Sequence, residues 1–341
     1  MTPRFGYAAA AWTGLYAVLA LLWTITGRGY PYGARANPDD LAVVNLLPPS
    51  VGAPLFAVVL LGTAVLAFAM AGSHAIRLRG VARTVVLALG WSVAGLLLFV
   101  IPGAAPLAIT GYAPMLILGA PFGWPPDIDY GDVFGWPLQN QVIAMVGGVL
   151  LAATLLVWQR RTRDACVRCG SASFRVAPLV LGRWAVAVAV IVPSLYAVTR
   201  FAWLAGIPLG IDRAMLRDLQ DTGAVWAGAG LAAFAVAGSL LTLGLVQRWG
   251  ETFPRWIPWL GGRRVPVKLA VIPATYVAIV VGAASVGMLA NPEVLGVLRD
   301  ETLAVGPMLL WPVWAAALGT AAYAYHLRRR GPCPACGTMG G

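Results

Sequence analysis

Charged side chains are scarce in this chain of 341 residues. They make up 11% of it, whereas apolar residues make up 60%; a typical soluble domain has about 25% charged residues. So few polar side chains cannot cover the surface of a water-soluble fold, and so much apolar surface excludes an intrinsically disordered protein. The composition therefore predicts a helical membrane protein that crosses the bilayer several times.

The residues from which common catalytic sites are built are also few. The chain has two histidines and four cysteines. It contains no nucleophile elbow, Walker A loop, dinucleotide-binding fingerprint or H-E-x-x-H helix. The sequence therefore predicts the architecture in more detail than the activity, and it indicates no particular class of enzyme.

Long uncharged runs are abundant instead. About 20 apolar residues cross the hydrocarbon as a helix, and an open backbone would be left without hydrogen bonds there. The sequence therefore predicts an all-α bundle with eight spans: residues 5–26, 51–72, 84–102, 141–158, 184–204, 224–246, 269–290 and 304–327. The uncharged stretch 103–123 is rich in Gly and Pro, which suit a straight helix poorly. We interpret it as a re-entrant or interfacial hairpin on the outer side; the alternative is an extension of the third helix followed by a loop.

The charged residues behind the net charge of +11 are distributed unevenly between the inner and the outer loops. With a cytoplasmic N-terminus, the inner segments hold 18 of the 24 basic residues and the outer loops hold 11 of the 13 acidic residues. Cytoplasmic loops of membrane proteins are enriched in Lys and Arg, so we expect both termini on the cytoplasmic side of a plasma membrane. The basic side would contact anionic lipids of the inner leaflet. The charge therefore gives no support to nucleic acid as a partner.

The two halves of the chain share a pattern. Residues 15–18, LYAV, recur as residues 195–198, and Trp23 recurs as Trp203. Each half also ends in a basic run followed by C-x-x-C-G. An even number of spans in each half gives both halves the same orientation. The pattern predicts two tandem four-helix repeats in parallel orientation, residues 1–170 and 171–341, related by a pseudo-twofold axis along the membrane normal.

The four cysteines form two C-x-x-C pairs, one after each repeat. Four thiolates are the ligand set of a structural Zn²⁺ site, and cytosolic thiols stay reduced. We therefore predict a structural zinc clip beneath the bilayer. Redox-active dithiols, or inert thiols left over from the duplication, are the alternatives. The predicted metal ligands are Cys166, Cys169, Cys333 and Cys336.

A few polar residues in or beside the spans are candidates for a site. Arg200 lies within the fifth span; it either reaches out to the outer interface or faces inward and holds an anionic ligand. Asp127, Asp129 and Asp132 lie close together in an outer loop, where they are weak candidates for acid–base or cation-binding groups. The alternative is that acids simply populate the outer loops. Residues 212–221 read as a short interfacial helix that Asp212 caps.

Three strings, SLYAVTRFAWLAGIPLGID, LTLGLVQRWGETFPRWIPWLGGRRVP and YHLRRRGPCPACG, resemble a family of multi-pass membrane proteins of actinobacteria. The resemblance covers most of the second half and, less sharply, the first. It implies a bacterial source with a GC-rich genome, in agreement with 23 Arg against one Lys. It implies no activity and assigns no catalytic residue.

Three hypotheses for the function follow. The first is a transporter-like or sensory scaffold with a site between the repeats for a small-molecule or lipid ligand. The second is a membrane-embedded enzyme that acts on a lipid or isoprenoid through the outer Asp residues. The third is a thiol-redox membrane protein that uses the C-x-x-C pairs.

Overall fold

The computed structural model describes residues 4–33, 41–71, 76, 78–123, 130–163, 166, 178–291, 296, 302–329 and 333. Within these residues the regular structure is helical, and an isolated β-bridge joins Thr252 to Arg264. The predicted all-α fold class is therefore confirmed.

The described helices are numbered in chain order. They are α1 (Arg4–Thr26), α2 (Pro49–Met70), α3 (Gly80–Gly95), α4 (Ala105–Gly119), α5 (Tyr130–Val133), α6 (Trp136–Arg161), α7 (Pro178–Leu204), α8 (Arg213–Asp221), α9 (Ala224–Leu243), α10 (Val267–Ala290), α11 (Thr302–Leu309) and α12 (Trp311–Arg329). A π-helical turn, Leu96–Val100, extends α3, and a 3-10 turn, Ala120–Phe122, follows α4.

The protein is an integral membrane protein. Among the described residues, eight helices are long and apolar enough to cross a bilayer: Phe5–Thr26, Pro49–Met70, Gly80–Val100, Ala105–Phe122, Trp136–Arg161, Val180–Leu204, Ala224–Leu243 and Val267–Ala290. Seven of them coincide with predicted spans. The eighth is α4 with its 3-10 turn, and the predicted span 304–327 is not among these eight helices of the described residues.

Two local predictions need correction in their helix geometry. Residues 105–119 form one continuous helix with Pro114 inside it, rather than a hairpin or an extension of the third helix. The placement of this segment on the outer side stays a prediction. The predicted span 304–327 has a break at Leu310, between α11 and α12, just before the Trp311-Pro312 pair. The last turn of α12 carries His326, Arg328 and Arg329, which lower its hydropathy.

The chain forms two compact units. Unit 1 is Met1–Pro106, Asp129–Phe174 and Pro332–Thr338; unit 2 is Leu107–Ile128, Arg175–Gly331 and Met339–Gly341. Of the described elements, unit 1 holds α1, α2, α3, α5, α6 and Cys333, and unit 2 holds most of α4 and all of α7 to α12. The predicted repeat boundary at residue 170 stays a prediction.

In unit 1, α1 packs against α2 and α6, and α3 packs against α6. The α1–α6 contact depends on Gly147, since a Cβ there would lie 2.3 Å from the Trp12 ring. Small residues allow membrane helices to approach closely in this way. The same interface contains a buried polar pair, in which the Tyr16 hydroxyl donates to Asn140 Oδ1 at 2.7 Å.

Hydrogen bonds at both ends of unit 1 show that α3 and α6 are antiparallel. Arg83 Nε, near the start of α3, donates to Thr162 Oγ1 at the end of α6, 2.8 Å away. After α3, the backbone N–H of Gly103 donates to Gln141 Oε1 near the start of α6, at 3.1 Å. The segment between Gly103 and α6, which includes α4, therefore leaves and rejoins the same end of unit 1. The chain therefore enters α6 at the same end of unit 1 at which it left α3, although α4 lies between them in sequence.

Unit 2 repeats the helix pairing of unit 1. α7 packs against α9 and α12, and α10 packs against α12, as α1 packs against α2 and α6 and α3 packs against α6. At one end of the unit, Gly182 of α7 lies against Ala324 of α12. At the same end, Arg328 Nη2 donates to the Leu245 carbonyl, just after α9, at 2.8 Å.

Basic residues collect at one end of each unit. In unit 1 this is the end where α3 begins and α6 stops, and in unit 2 it is the end where α7 begins and α12 stops. The residues are Arg79, Arg83, Arg160 and Arg161 in unit 1, and Arg183, Arg248, Arg328 and Arg329 in unit 2. Acids of α8 lie at the other end of unit 2. The charge sorting read from the sequence therefore corresponds to a spatial separation within each unit.

The buried pair in unit 1 gives a stability prediction. Tyr16→Phe leaves Asn140 Oδ1 without its donor, so the free energy of unfolding should fall by about 1 kcal/mol. The measurement is reversible unfolding in mixed micelles. Tyr7→Phe, on the same helix at a position 47% exposed, is the matched control and should cost little. Equal losses for the two variants would contradict the prediction.

Candidate functional site

Cys166, from the first C-x-x-C pair, lies next to Cys333, from the second pair, and both residues belong to unit 1. Cys166 follows α6 and Cys333 follows α12, and their Sγ atoms are 3.8 Å apart. Cys333 is 7% exposed and Cys166 is partly exposed. Two residues separated by 167 positions in sequence are therefore neighbours, as the sequence predicts for the two motifs. Cys169 and Cys336 lie outside the described residues.

The sulfur–sulfur distance limits the chemistry of the pair. A disulfide has an S–S distance of about 2.05 Å, so the two thiols are not bonded to each other. Two thiolates on one tetrahedral zinc, each about 2.3 Å from the metal, lie about 3.8 Å apart. Reduced thiols at this distance also form a weak S–H···S hydrogen bond. In the part of the chain that the structure describes, no group of three metal-ligating side chains occurs, since only two of the four cysteines belong to it.

Arg200, the predicted intramembrane cation, packs on aromatic rings of its own helix. Its guanidinium carbon is 4.5 Å from the centre of the Tyr196 ring and 4.0 Å from that of Trp203. Its Nη1 donates to Thr199 Oγ1 at 3.3 Å. Gly228 of α9 makes room for the side chain, because a Cβ there would lie 3.5 Å from Arg200 Cδ. A cation that is removed from water is stabilised over ring faces in this way.

The first half holds the same rings without the cation. Tyr16 and Trp23 of α1 make an edge-to-face contact, with ring centres 5.7 Å apart, and Ala20 between them is fully buried. In α7 the position that corresponds to Ala20 is Arg200. The second half therefore has a positive group at the position where the first half has Ala20. A guanidinium held by its faces keeps N–H groups at its edge that can bind an anionic group.

Of the three predicted acidic residues of the outer loop, the structure describes only one. Asp127 and Asp129 lie outside the described residues, and for Asp132 only its place in α5 is described. Their role as acid–base or cation-binding groups stays a prediction. The predicted cap of the short interfacial helix is confirmed, because Asp212 Oδ1 accepts a hydrogen bond from the Met215 backbone N–H at 2.7 Å.

The connection between α9 and α10, residues 244–266, is held by the end of α12, and we call it the basic loop. Glu251 pairs with Arg328 at 3.1 Å and with Arg329 at 3.6 Å. Arg329 also donates to the Val265 carbonyl at 2.9 Å, and the Tyr325 hydroxyl donates to the Gly250 carbonyl at 2.7 Å. We call these contacts the clamp, and the sequence alone did not reveal them. The signal was present: Glu251 is the only acid in the loop, and an Arg pair ends the last helix.

No protein-family model, no curated protein and no solved structure matches this chain. The resemblance to actinobacterial membrane proteins therefore stays an expectation. The function has to be inferred from the side chains themselves.

The contact of Arg200 with the rings of Tyr196 and Trp203 gives a testable prediction. Arg200→Ala should lower the free energy of unfolding by about 1–2 kcal/mol, because a desolvated cation–π contact is lost along with the packing of its stem. Arg200→Lys should cost less. Thermal denaturation in detergent measures both. Arg213→Ala on α8, an exposed position, is the control; a loss as large as that of Arg200→Ala would argue against the aromatic contact as the cause.

Proposed function

We propose that this integral membrane protein is a non-enzymatic scaffold, transporter-like or sensory in role, whose two four-helix repeats are joined on the cytoplasmic side by a structural zinc ion. The ligands would be the thiolates of Cys166, Cys169, Cys333 and Cys336. The observation that carries the proposal is the 3.8 Å distance between Cys166 Sγ and Cys333 Sγ, which equals an edge of a tetrahedral zinc–thiolate site.

The surroundings of the two cysteines support a structural metal. Each belongs to a C-x-x-C-G motif, whose second cysteine would supply the remaining thiolate. Cys333 is buried, as a ligand that stabilises a fold is expected to be. Four thiolates fill a tetrahedral site and leave no position for a substrate, so such a zinc contributes to folding rather than to catalysis.

The helix pairing supports the duplication on which the proposal rests. The two units share their three main helix pairs, and Tyr16 and Trp23 of α1 correspond to Tyr196 and Trp203 of α7. Two thiolates from the end of each repeat, bound to one zinc ion, would then connect the repeats. For a transporter-like or sensory role, Arg200 is the residue that would meet an anionic ligand.

The metal content of the purified full-length chain tests the zinc site. We expect one zinc per chain, with four sulfur ligands at about 2.3 Å by X-ray absorption. Acidification should release the metal, because thiolates must be protonated for it to leave. Cys166→Ser and Cys333→Ser should each lose the zinc and lower the melting temperature in detergent.

A matched substitution separates loss of a ligand from local disturbance. Arg163→Gln changes an exposed residue three positions before Cys166 and should keep the zinc. A metal-free wild-type protein with four reactive thiols would overturn the proposal. A reversible disulfide between Cys166 and Cys333 in the native protein would favour the redox hypothesis instead.

A further inference from the structure

Unit 2 contains an apolar cavity of about 480 Å³ beneath the basic loop. Side chains of α7, α9, α10 and α12 form its walls, among them Ala274, Val277 and Leu318, and Trp256 and Ile257 of the basic loop lie across it. Pockets with a mainly apolar lining bind apolar ligands. The volume falls within the range of ligand pockets, so an apolar occupant of substantial size fits it.

The basic loop has the features of a segment that lies at a membrane surface. Trp256 is 81% exposed and Trp259 is 93% exposed. Trp259 also adopts a left-handed backbone conformation, with φ 59°, which a side chain other than Gly or Asn rarely does. Tryptophan is enriched at the headgroup level of bilayers. These indoles are therefore placed where the hydrocarbon meets the headgroups, which puts the mouth of the cavity there too.

Positive charges surround the same cavity. Arg248, Arg255 and Arg264 are all exposed, and each is the chain neighbour of a residue that lines the cavity. The one acid of the basic loop, Glu251, is already paired with Arg328 and Arg329. The cavity is thus apolar inside and cationic along the loop that covers it.

We propose that this cavity binds one acyl chain of an anionic phospholipid, whose phosphate is held by Arg248, Arg255 and Arg264. The inference rests on the proposed membrane scaffold with the basic loop on the cytoplasmic side, and it adds a specific bound lipid to that scaffold. Charge complementarity selects an anionic headgroup over a zwitterionic one. The ion pairs and hydrogen bonds from α12 hold the basic loop over the cavity. They therefore link the bound lipid to the end of α12.

The test uses the delipidated full-length chain in detergent, titrated with phosphatidylglycerol or phosphatidylcholine and analysed by native mass spectrometry. One phosphatidylglycerol should bind tightly and phosphatidylcholine should bind more weakly. The double variant Arg255→Gln, Arg264→Gln should weaken binding by about fivefold for each charge removed. The control is Arg213→Gln, Arg217→Gln on α8, which should leave binding unchanged.

A cavity-filling substitution tests the acyl chain directly. Ala274→Phe places a ring inside the cavity and should abolish the tightly bound lipid. Ile272→Phe lies on the same helix, at a position 62% exposed that does not line the cavity, and should bind as the wild type does. The charge variants change exposed residues only, so they keep the proposal testable if Ala274→Phe fails to fold.

Three results would overturn the lipid site. These are equal binding of the two phospholipids, unchanged binding by Ala274→Phe, and equal weakening by the two charge variants. Zinc is measured in the same preparations. A metal-free protein that still binds one phosphatidylglycerol would refute the zinc clip alone, and a zinc-loaded protein without a bound lipid would refute the lipid site alone.

Discussion

The hydrocarbon of a bilayer offers no hydrogen bonds, and most features of this protein follow from that constraint. A backbone that crosses it must be helical, and a polar side chain within it must find its partner inside the protein. Tyr16 and Asn140 satisfy each other in the middle of unit 1. Arg200 lies on two aromatic rings. Groups that have no such partner are found at the helix ends, where headgroups and water begin.

The two units use one helix arrangement with different interior chemistry. In both, the first helix contacts the second and the fourth, and the third contacts the fourth. The tyrosine and tryptophan of the first helix are retained, yet an alanine lies between them in one unit and an arginine in the other. A duplicated framework can preserve its packing while one copy gains a charge. Specialisation of the second unit therefore needs no change in its helix contacts.

Much of the fold could be predicted from the sequence, because apolar length and charge sorting are properties that a chain shows directly. Seven of the predicted spans coincide with helices long enough to cross. The segment 105–119 was misread because Gly and Pro weaken a helix in water, whereas α4 rests against other helices: a Cβ at Gly111 would lie 2.4 Å from the Leu231 side chain. The break at Leu310 comes two residues before Pro312, which has no N–H to continue the helical hydrogen bonds.

The candidate site was predictable only in part, for a different reason. The duplicated C-x-x-C-G motifs suggested a shared zinc site; Cys166 and Cys333 are in contact, and the zinc site itself stays a prediction. The apolar cavity and the clamp of the basic loop arise from contacts between segments far apart in sequence, such as Tyr325 with Gly250. The single acid of the basic loop and the Arg pair of α12 are evident in the sequence, but neither segment specifies that they meet. Long-range polar contacts of this kind become visible only when the helices are assembled.

The contact between Cys166 and Cys333 also sets an order of events during biosynthesis. Cys333 follows α12, so the ribosome adds 167 residues after Cys166 before Cys333 is in the chain. At about 5–20 residues per second, that delay is roughly 10–30 s. During this interval Cys166 is made but has no partner from the second motif. The contact between the two cysteines can therefore form only after α12 has been made.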